Sequence, residues 1–442
     1  MSTLARSITP LHATALVVGI IIGASIFVQP SVITGTVPTM AAVYAVWLAS
    51  GVLTLFGALI AAELASAYPV AGGVYVFLRE AFSPVLGFLW GWAMFWTMHT
   101  GIITVIASVF ARYAAFFVPV GDGGQKAIAA AAIALLTAVN CLGVRQGSLV
   151  QTSTTIIKVS AIAVLILLAY LAGGSTPPPT VHPSNASATL SAHSFGIALV
   201  AGLFAFGGWH MVTYAAEETH QSERTIPRAL VIGVLLVTAC YVALSAAYAH
   251  LLTPAGVAAS KRVAADAADA VFGTGGAAVM SALVAVSTFG ALNGVILAGP
   301  RAYVALARDG LFLPWAAEIH PRFHTPVRAI LLQGAWAVVL LWTGTYRVLF
   351  SRVVYTEWIF FALMAAGLIR LRRRPGYHPA YRMWGVPVIP VVFILSSAYV
   401  VVNEVLTDPR DSMNGLLFVL AGLPVYWLSV RRPRVLTHST PA

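Results

Sequence analysis

The chain has 442 residues, of which 59% are hydrophobic and only 9% charged, against roughly a quarter charged in soluble domains, so a soluble globular fold is excluded. The formal charge of +11 does not mark a nucleic-acid binder, because the basic residues gather on one side of the membrane topology set out below. Only two cysteines, Cys141 and Cys240, are present, which excludes a disulfide framework, and no motif calls for a metal or another cofactor.

Apolar runs of about 20 residues recur along the chain, each long enough to cross a hydrocarbon core of about 30 Å as a helix. Lipid offers no hydrogen bonds to a chain crossing it, so the spans must be helical. The expectation is an all-α integral membrane protein with twelve spans, at 11–35, 39–67, 84–118, 125–143, 149–172, 192–219, 226–252, 274–306, 326–346, 349–371, 385–404 and 413–430. Most basic residues, among them Arg79, Arg224, Arg308 and the run from Arg370 to Arg374, then fall on the side that holds the N-terminus. The positive-inside rule places both termini in the cytoplasm of a multi-pass protein of the cell inner (plasma) membrane, with the 370–374 run against anionic lipid headgroups.

The first span reads "GIIIGASIFVQP", Gly19 to Pro30, and puts Gly23, Ala24 and Ser25 at mid-membrane, where an unbroken helix would carry bulkier residues. The second ends at Glu63, and the third carries His99 within a tryptophan-rich stretch. Lys158 stands in the fifth span, at a depth where a cation costs about 2.5–3.5 kcal/mol. Thr152, Ser153, Thr154, Thr155 and Ser160 make the surrounding half of that helix polar, so the lysine is expected to face the bundle. A segment rich in Pro, Ser and Gly at 173–187 reads as an extended outer loop. The sixth span, "GLFAFGGWHMVTYAAEE", holds Gly207 and Gly208 side by side. Glu217 and Glu218 close it on the cytoplasmic side, where Arg79, Arg145, Arg224 and Arg228 are the expected partners for them and for Glu63.

The two interruptions open successive blocks of five crossings, and an odd number of crossings inverts the second block relative to the first. One transporter domain, 1–442, is therefore expected: inverted repeats at 11–172 and 192–371, discontinuous helices 1 and 6, and two added helices at 385–430. A break frees N–H groups on one half-helix and C=O groups on the other. A zwitterion suits both, with its carboxylate on the amides of Ala24, Ser25 and Ile26 and its ammonium on carbonyls such as those of Ile21, Phe204 and Gly207. The expected substrate site runs from Ile21 and Gly23 to Ile26 and from Phe204, Ala205 and Phe206 to Gly207. An ammonium at Lys158 would stand where comparable carriers hold a sodium ion, tying the first half-helix to the eighth span through the Gly19 carbonyl and Ser287 or Thr288.

The stretches "GIIIGASIF", "ELASAYPVAGGVYVFLREAF" (63–82), "NCLGVRQGSLVQTSTTIIKVSAI" (140–162), "LFAFGGWHMVTYAAEE" (203–218), "STFGALNG" (287–294) and "RAYVALARDGLFLP" (301–314) resemble, in order, the amino acid-polyamine-organocation superfamily, specifically its L-type amino acid transporter branch. The resemblance implies a leucine-transporter-type fold and sodium-independent exchange of amino acids by alternating access. It also implies that Phe204 gates the substrate, that Gly207 and Trp209 belong to the site, and that Lys158 occupies the sodium-replacing position.

The family usually has Gly-Ser-Gly where this chain has Gly23-Ala24-Ser25, a change that favours a small or neutral substrate because the Ser25 side chain narrows the pocket or adds a ligand. His210 replaces a common asparagine after Trp209 and, with His99, introduces a side chain able to titrate near neutral pH, although a hydrogen-bonded structural histidine is the favoured expectation for each. Animal relatives join a single-span glycoprotein through a cysteine in the loop corresponding to "PVGDGGQK" (119–126), which has none here, so no disulfide-linked heavy chain is expected. A proton-coupled symporter with Lys158 or His210 titrating stays open, as does a membrane-embedded enzyme, although no nucleophile motif accompanies His99 and His210.

Overall fold

The computed structural model describes residues 4–171, 190–344 and 355–430, so the expected outer loop at 173–187 lies outside the described residues. Those residues are helical almost throughout. Thr9 caps the first helix, α1 (Pro10–Ile21), with Pro10 at its start, an arrangement that satisfies one terminal amide and wastes none on the proline. After a single 3-10 turn, Ser25–Phe27, the chain resumes as α2 (Gln29–Thr36). The first span is thus two half-helices. α3 (Met40–Ala67) is capped by Thr39 and continuous, and the short α4 (Val74–Ala81) links it to the third span.

That third span is α5 (Pro84–Ala93), a π-helical turn (Met94–Met98) and α6 (His99–Ala114). The Thr100 hydroxyl donates to the Phe95 carbonyl five residues back, sealing the bulge. α7 (Asp122–Leu142) and α8 (Val144–Leu171) complete the first half. In the second half α9 (Ala192–Ala205) stops at Phe206, and the chain continues as the 3-10 segment Trp209–Glu218. Gly208 turns this corner at φ +90, a left-handed backbone that favours glycine, and a Cβ there would strike Ile20 of α1.

α10 (Ser222–Ala259), α11 (Val263–Phe272), α12 (Gly276–Ala298), α13 (Pro300–Arg308), α14 (Val327–Thr343), α15 (Thr356–Leu371), α16 (Val388–Thr407), α17 (Pro409–Leu420) and α18 (Gly422–Val430) follow. The expected seventh span is longer than the sequence indicates, and a positive φ at Thr253 before Pro254 bends it. The eighth runs from α12 into α13 through Gly299, whose backbone stays helical, with Pro300 removing one amide from the hydrogen-bond ladder between them. Nine helices among the described residues are long and apolar enough to cross a membrane. Three of the twelve expected spans are not in that set. The first is split, the ninth has only 17 helical residues, and the tenth begins beside residues outside the description.

α1 lies in the centre, packed on α8, α10 and α12, while α3 runs along α10 and α15 pairs with α16. Small residues permit the closest approaches: a Cβ on Gly19 would overlap Gln151 and Thr155 of α8, and one on Gly51 would overlap Thr238 of α10.

Candidate functional site

Where α1 ends, the carbonyls that a continuous helix would use are taken up by side chains of three other helices. Lys158 of α8, fully buried, points its ammonium into the break. The three N–H bonds go to the carbonyls of Gly19 (2.9 Å), Ile22 (2.9 Å) and Ser287 (2.8 Å). An ammonium has three donors and no acceptor, so the cation is saturated by the backbone. Ser287 Oγ reaches the Ile22 carbonyl at 3.0 Å and the Gly23 carbonyl at 3.2 Å. Of the two eighth-span residues named from the sequence, Ser287 makes the link. Thr288 turns back to Val284 on its own helix.

Lys158 belongs to a stripe. Gln151 and Thr155, seven and three residues earlier on α8, both donate to the Ala15 carbonyl of α1, and helical spacing puts the three on one face. The exposed Ser153 and Ser160 lie off that face.

The sequence reading missed Tyr241. Its hydroxyl, buried on α10, lies 3.0 Å from the Ile21 carbonyl and 3.1 Å from the Ala205 carbonyl. One oxygen thus reaches the last helical residue of α1 and of α9, and the two breaks stand side by side. No periodicity distinguishes a tyrosine of this kind from ordinary core in an apolar helix.

The free groups can now be assigned. The amides of Ala24, Ser25 and Ile26 donate to no described backbone or side-chain acceptor, while the next amide, Phe27, returns to the Ala24 carbonyl. Of the three carbonyls expected to hold an ammonium, Ile21 accepts from Tyr241 and from the Gly23 amide, and Phe204 accepts from the Gly207 amide. Among the described residues nothing donates to the Gly207 carbonyl. Gly207 is exposed, Phe204 is 48% exposed, and Ala24 and Ser25 are partly buried. Ile21, Gly23, Ile26, Ala205 and Phe206 are buried behind them, with the Phe206 ring edge-on to Tyr241. Trp209 packs away from the break, against Phe361 of α15 and Phe393 of α16. His99 and His210 lie deeper still, each 1% exposed.

The end of the sixth span is closed by paired charges, with partners other than those expected. Glu218 forms a buried two-pronged pair with Arg301 of α13, at 2.8 and 3.0 Å. Glu217 pairs with Arg308 at 2.7 Å and Glu63 with Arg372 at 2.8 Å. Arg79 and Tyr75 both donate to Asp309, where burial and that carboxylate hold the Tyr75 hydroxyl well above the usual tyrosine range. Arg145, Arg224 and Arg228 form none of these pairs.

The 370–374 run is likewise reassigned in part. Arg372 serves Glu63, whose hydrogen bonds raise its proton affinity, and Arg374 donates to the Glu80 and Ala81 carbonyls at the end of α4. A buried carboxylate and the carbonyls at a helix C-terminus offer a guanidinium more than a headgroup does. The start of the chain joins the same closure, with the Ser7 and Ile8 amides donating to the Glu218 carbonyl and the His220 amide to Ile8.

Broken helices that meet over unpaired backbone groups, in a bundle this apolar, define a multi-pass membrane carrier. A family model described as amino acid permease matches residues 8–428, and the chain belongs to that family, within the amino acid-polyamine-organocation superfamily and its L-type branch. The serine/threonine exchanger SteT of Bacillus subtilis (strain 168) is 33% identical over 430 residues, covering 96% of this chain and 97% of that protein. The b(0,+)-type amino acid transporter 1 of Homo sapiens is 32% identical over 97% of this chain and 89% of its own length. Large neutral amino acids transporter small subunit 2 of Rattus norvegicus is 31% identical, over 97% and 81%. These relatives are transporters, not enzymes.

Proposed function

We propose that the protein is a sodium-independent exchanger of small or neutral L-amino acids, working by alternating access in twelve spans. Residues 11–172 and 192–371 are the inverted repeats, and 385–430 are the added helices. The carrying observation is the ammonium of Lys158 on the carbonyls of Gly19, Ile22 and Ser287. A sodium ion between the first and eighth spans would need such oxygens, and here a covalently attached cation holds them.

The substrate carboxylate sits on the amides of Ala24, Ser25 and Ile26, and its ammonium takes the Gly207 carbonyl. Phe204 is the gate over it. Exchange follows from the same accounting. An empty site that closes strands these amides away from water, at about 1–3 kcal/mol for each unsatisfied group. The loaded carrier therefore reorients far more readily than the empty one. Ser25 in place of glycine favours a small substrate side chain, and the relative named a serine/threonine exchanger supports the same reading.

The inner gate is the set of pairs around Glu217 and Glu218, which must part for release to the cytoplasm. The basic bias supports cytoplasmic termini in a plasma membrane, with lipids on the outer faces of the bundle. The cysteine-free loop 119–126 and the placement of Cys141 and Cys240 within helices support a carrier without a disulfide-linked heavy chain.

The test is uptake of labelled amino acids into proteoliposomes preloaded with unlabelled ones, with and without sodium. Uptake is expected to need internal substrate, ignore sodium and fall at least about tenfold in Lys158→Ala, the rate equivalent of about 1.4 kcal/mol. Uptake that demands sodium overturns the reading.

A further inference from the structure

Among the described residues a cluster of buried polar atoms with few or no partners lies behind the inner gate. The π turn at Met94–Met98 delivers His99 into the bundle, and such turns recur at functional sites. The fully buried Tyr214 stands between two imidazoles, its ring 5.9 Å from His99 and 5.6 Å from His210. Among the described residues neither nitrogen of His210 has a hydrogen-bond partner, nor does the Tyr303 hydroxyl, while His99 is served only by Gln333 and the Tyr214 hydroxyl only by Trp90 Nε1.

Each surrounding element can be named. Trp90 of α5 faces the Tyr214 hydroxyl and packs its ring on His210, Gln333 of α14 faces His99, and Phe361 of α15 walls His210. Glu357 stands one helical turn before Phe361 on α15, on the face that walls His210, and Tyr303 of α13 packs edge-on to Phe95 of the π turn. The titratable groups are therefore His99, His210, Tyr214, Tyr303 and Glu357, and the Arg301–Glu218 pair closes the side shared by α13 and the sixth span.

Buried polar groups without partners cost about 1–3 kcal/mol each, and a cluster of them pays for itself only in a state that supplies partners. The inner gate provides the switch. The Gly72 amide donates to the Tyr214 carbonyl at 3.3 Å, and Gly73, at φ +51, lies so close to the Tyr214 ring that a Cβ would overlap it. Glu217 and Glu218 follow Tyr214 on the same 3-10 segment. Parting the gate must move Tyr214.

We propose that His99, His210, Tyr214 and Glu357 form a proton-binding chamber that is dry while the inner gate is shut and takes up a proton when the gate opens. In the closed state an imidazolium at His210 would have no acceptor among the described residues. Once water enters, an imidazole titrates at about 6.5 and Glu357 offers the opposite charge. Protons are then bound by the inward-open state, so acid on the cytoplasmic side holds that state open and slows its return. This inference rests on the alternating-access exchange proposed above.

Two readouts separate the chamber from that reading. Exchange in proteoliposomes at about pH 7.5 tests the exchanger, and its decline towards about pH 5.5 tests the chamber. Wild type is expected to lose about threefold or more of its rate over that range by proton linkage, and the double variant His99→Gln, His210→Asn to hold a flat profile. Glu357→Gln should move the decline to lower pH, which preserves the test if the double variant fails to fold. Independently of transport, tryptophan fluorescence of purified wild type should titrate near pH 6 as the His210 ring, beside Trp90 and Trp209, gains charge. That titration should vanish in His210→Asn. A flat wild-type exchange profile, or a fluorescence titration unchanged in the variant, overturns the chamber.

Discussion

Lys158 and the histidine pair are both buried in one bundle, yet their surroundings are opposite. Two donors of the lysine end on carbonyls at the break in the first span and the third on the Ser287 carbonyl of α12, whereas neither nitrogen of His210 finds a partner among the described residues. A buried charge supplied with all its hydrogen bonds acts as a strut, since moving it would leave both ammonium and carbonyls bare. Buried neutral groups without partners do the reverse and favour whatever state hydrates them. One region fixes the geometry of the carrier, and the other is free to bias its equilibrium.

The widest gap between the two should appear in stability. Lys158→Met strips the Gly19 carbonyl of its described donor, while the Ile22 carbonyl keeps Ser287 Oγ. With about 1–3 kcal/mol for each stranded group, the unfolding midpoint in detergent should drop by an amount equivalent to about 3 kcal/mol. An unchanged midpoint would break the comparison. Tyr241→Phe sharpens it from between. The ring contacts with Trp47 and Phe206 remain, but the hydroxyl shared by the Ile21 and Ala205 carbonyls is lost. A cost of about 1–2 kcal/mol should accompany a raised KM for exchange, because both breaks lose their common anchor. The smallest effect belongs to the double variant His99→Gln, His210→Asn. Its midpoint should shift by less than the equivalent of about 1 kcal/mol, since His210 has no partner to lose and glutamine at 99 can still meet Gln333.

The sequence made the breaks readable because only small residues allow a helix to stop in lipid, and Gly23-Ala24-Ser25 and Gly207-Gly208 are hard to explain otherwise. Lys158 was readable for a related reason, the cost of its depth. Its third acceptor, Ile22, was not, because a carbonyl leaves no mark in composition. Gln151 was within reach. Counting back from Lys158 by helical spacing gives 155 and 151, while the serines that drew attention, Ser153 and Ser160, face outward. The ion pairs were legible in sign and side but not in partner. Arg301 looks like the end of a span until α13 is seen to bring it to Glu218, and Arg372 looks like part of a headgroup patch until α15 and α3 bring it to Glu63. Tyr241 gave no signal, because its role depends wholly on two helices that meet only after folding.

The stitching of Ser7 and Ile8 to Glu218 and His220 turns the first residues of the chain into a handle on the gate. A fluorophore attached just ahead of Ser7 would ride on the moving part and report each opening in real time. A bulky fusion in the same place would load the hinge and slow every cycle.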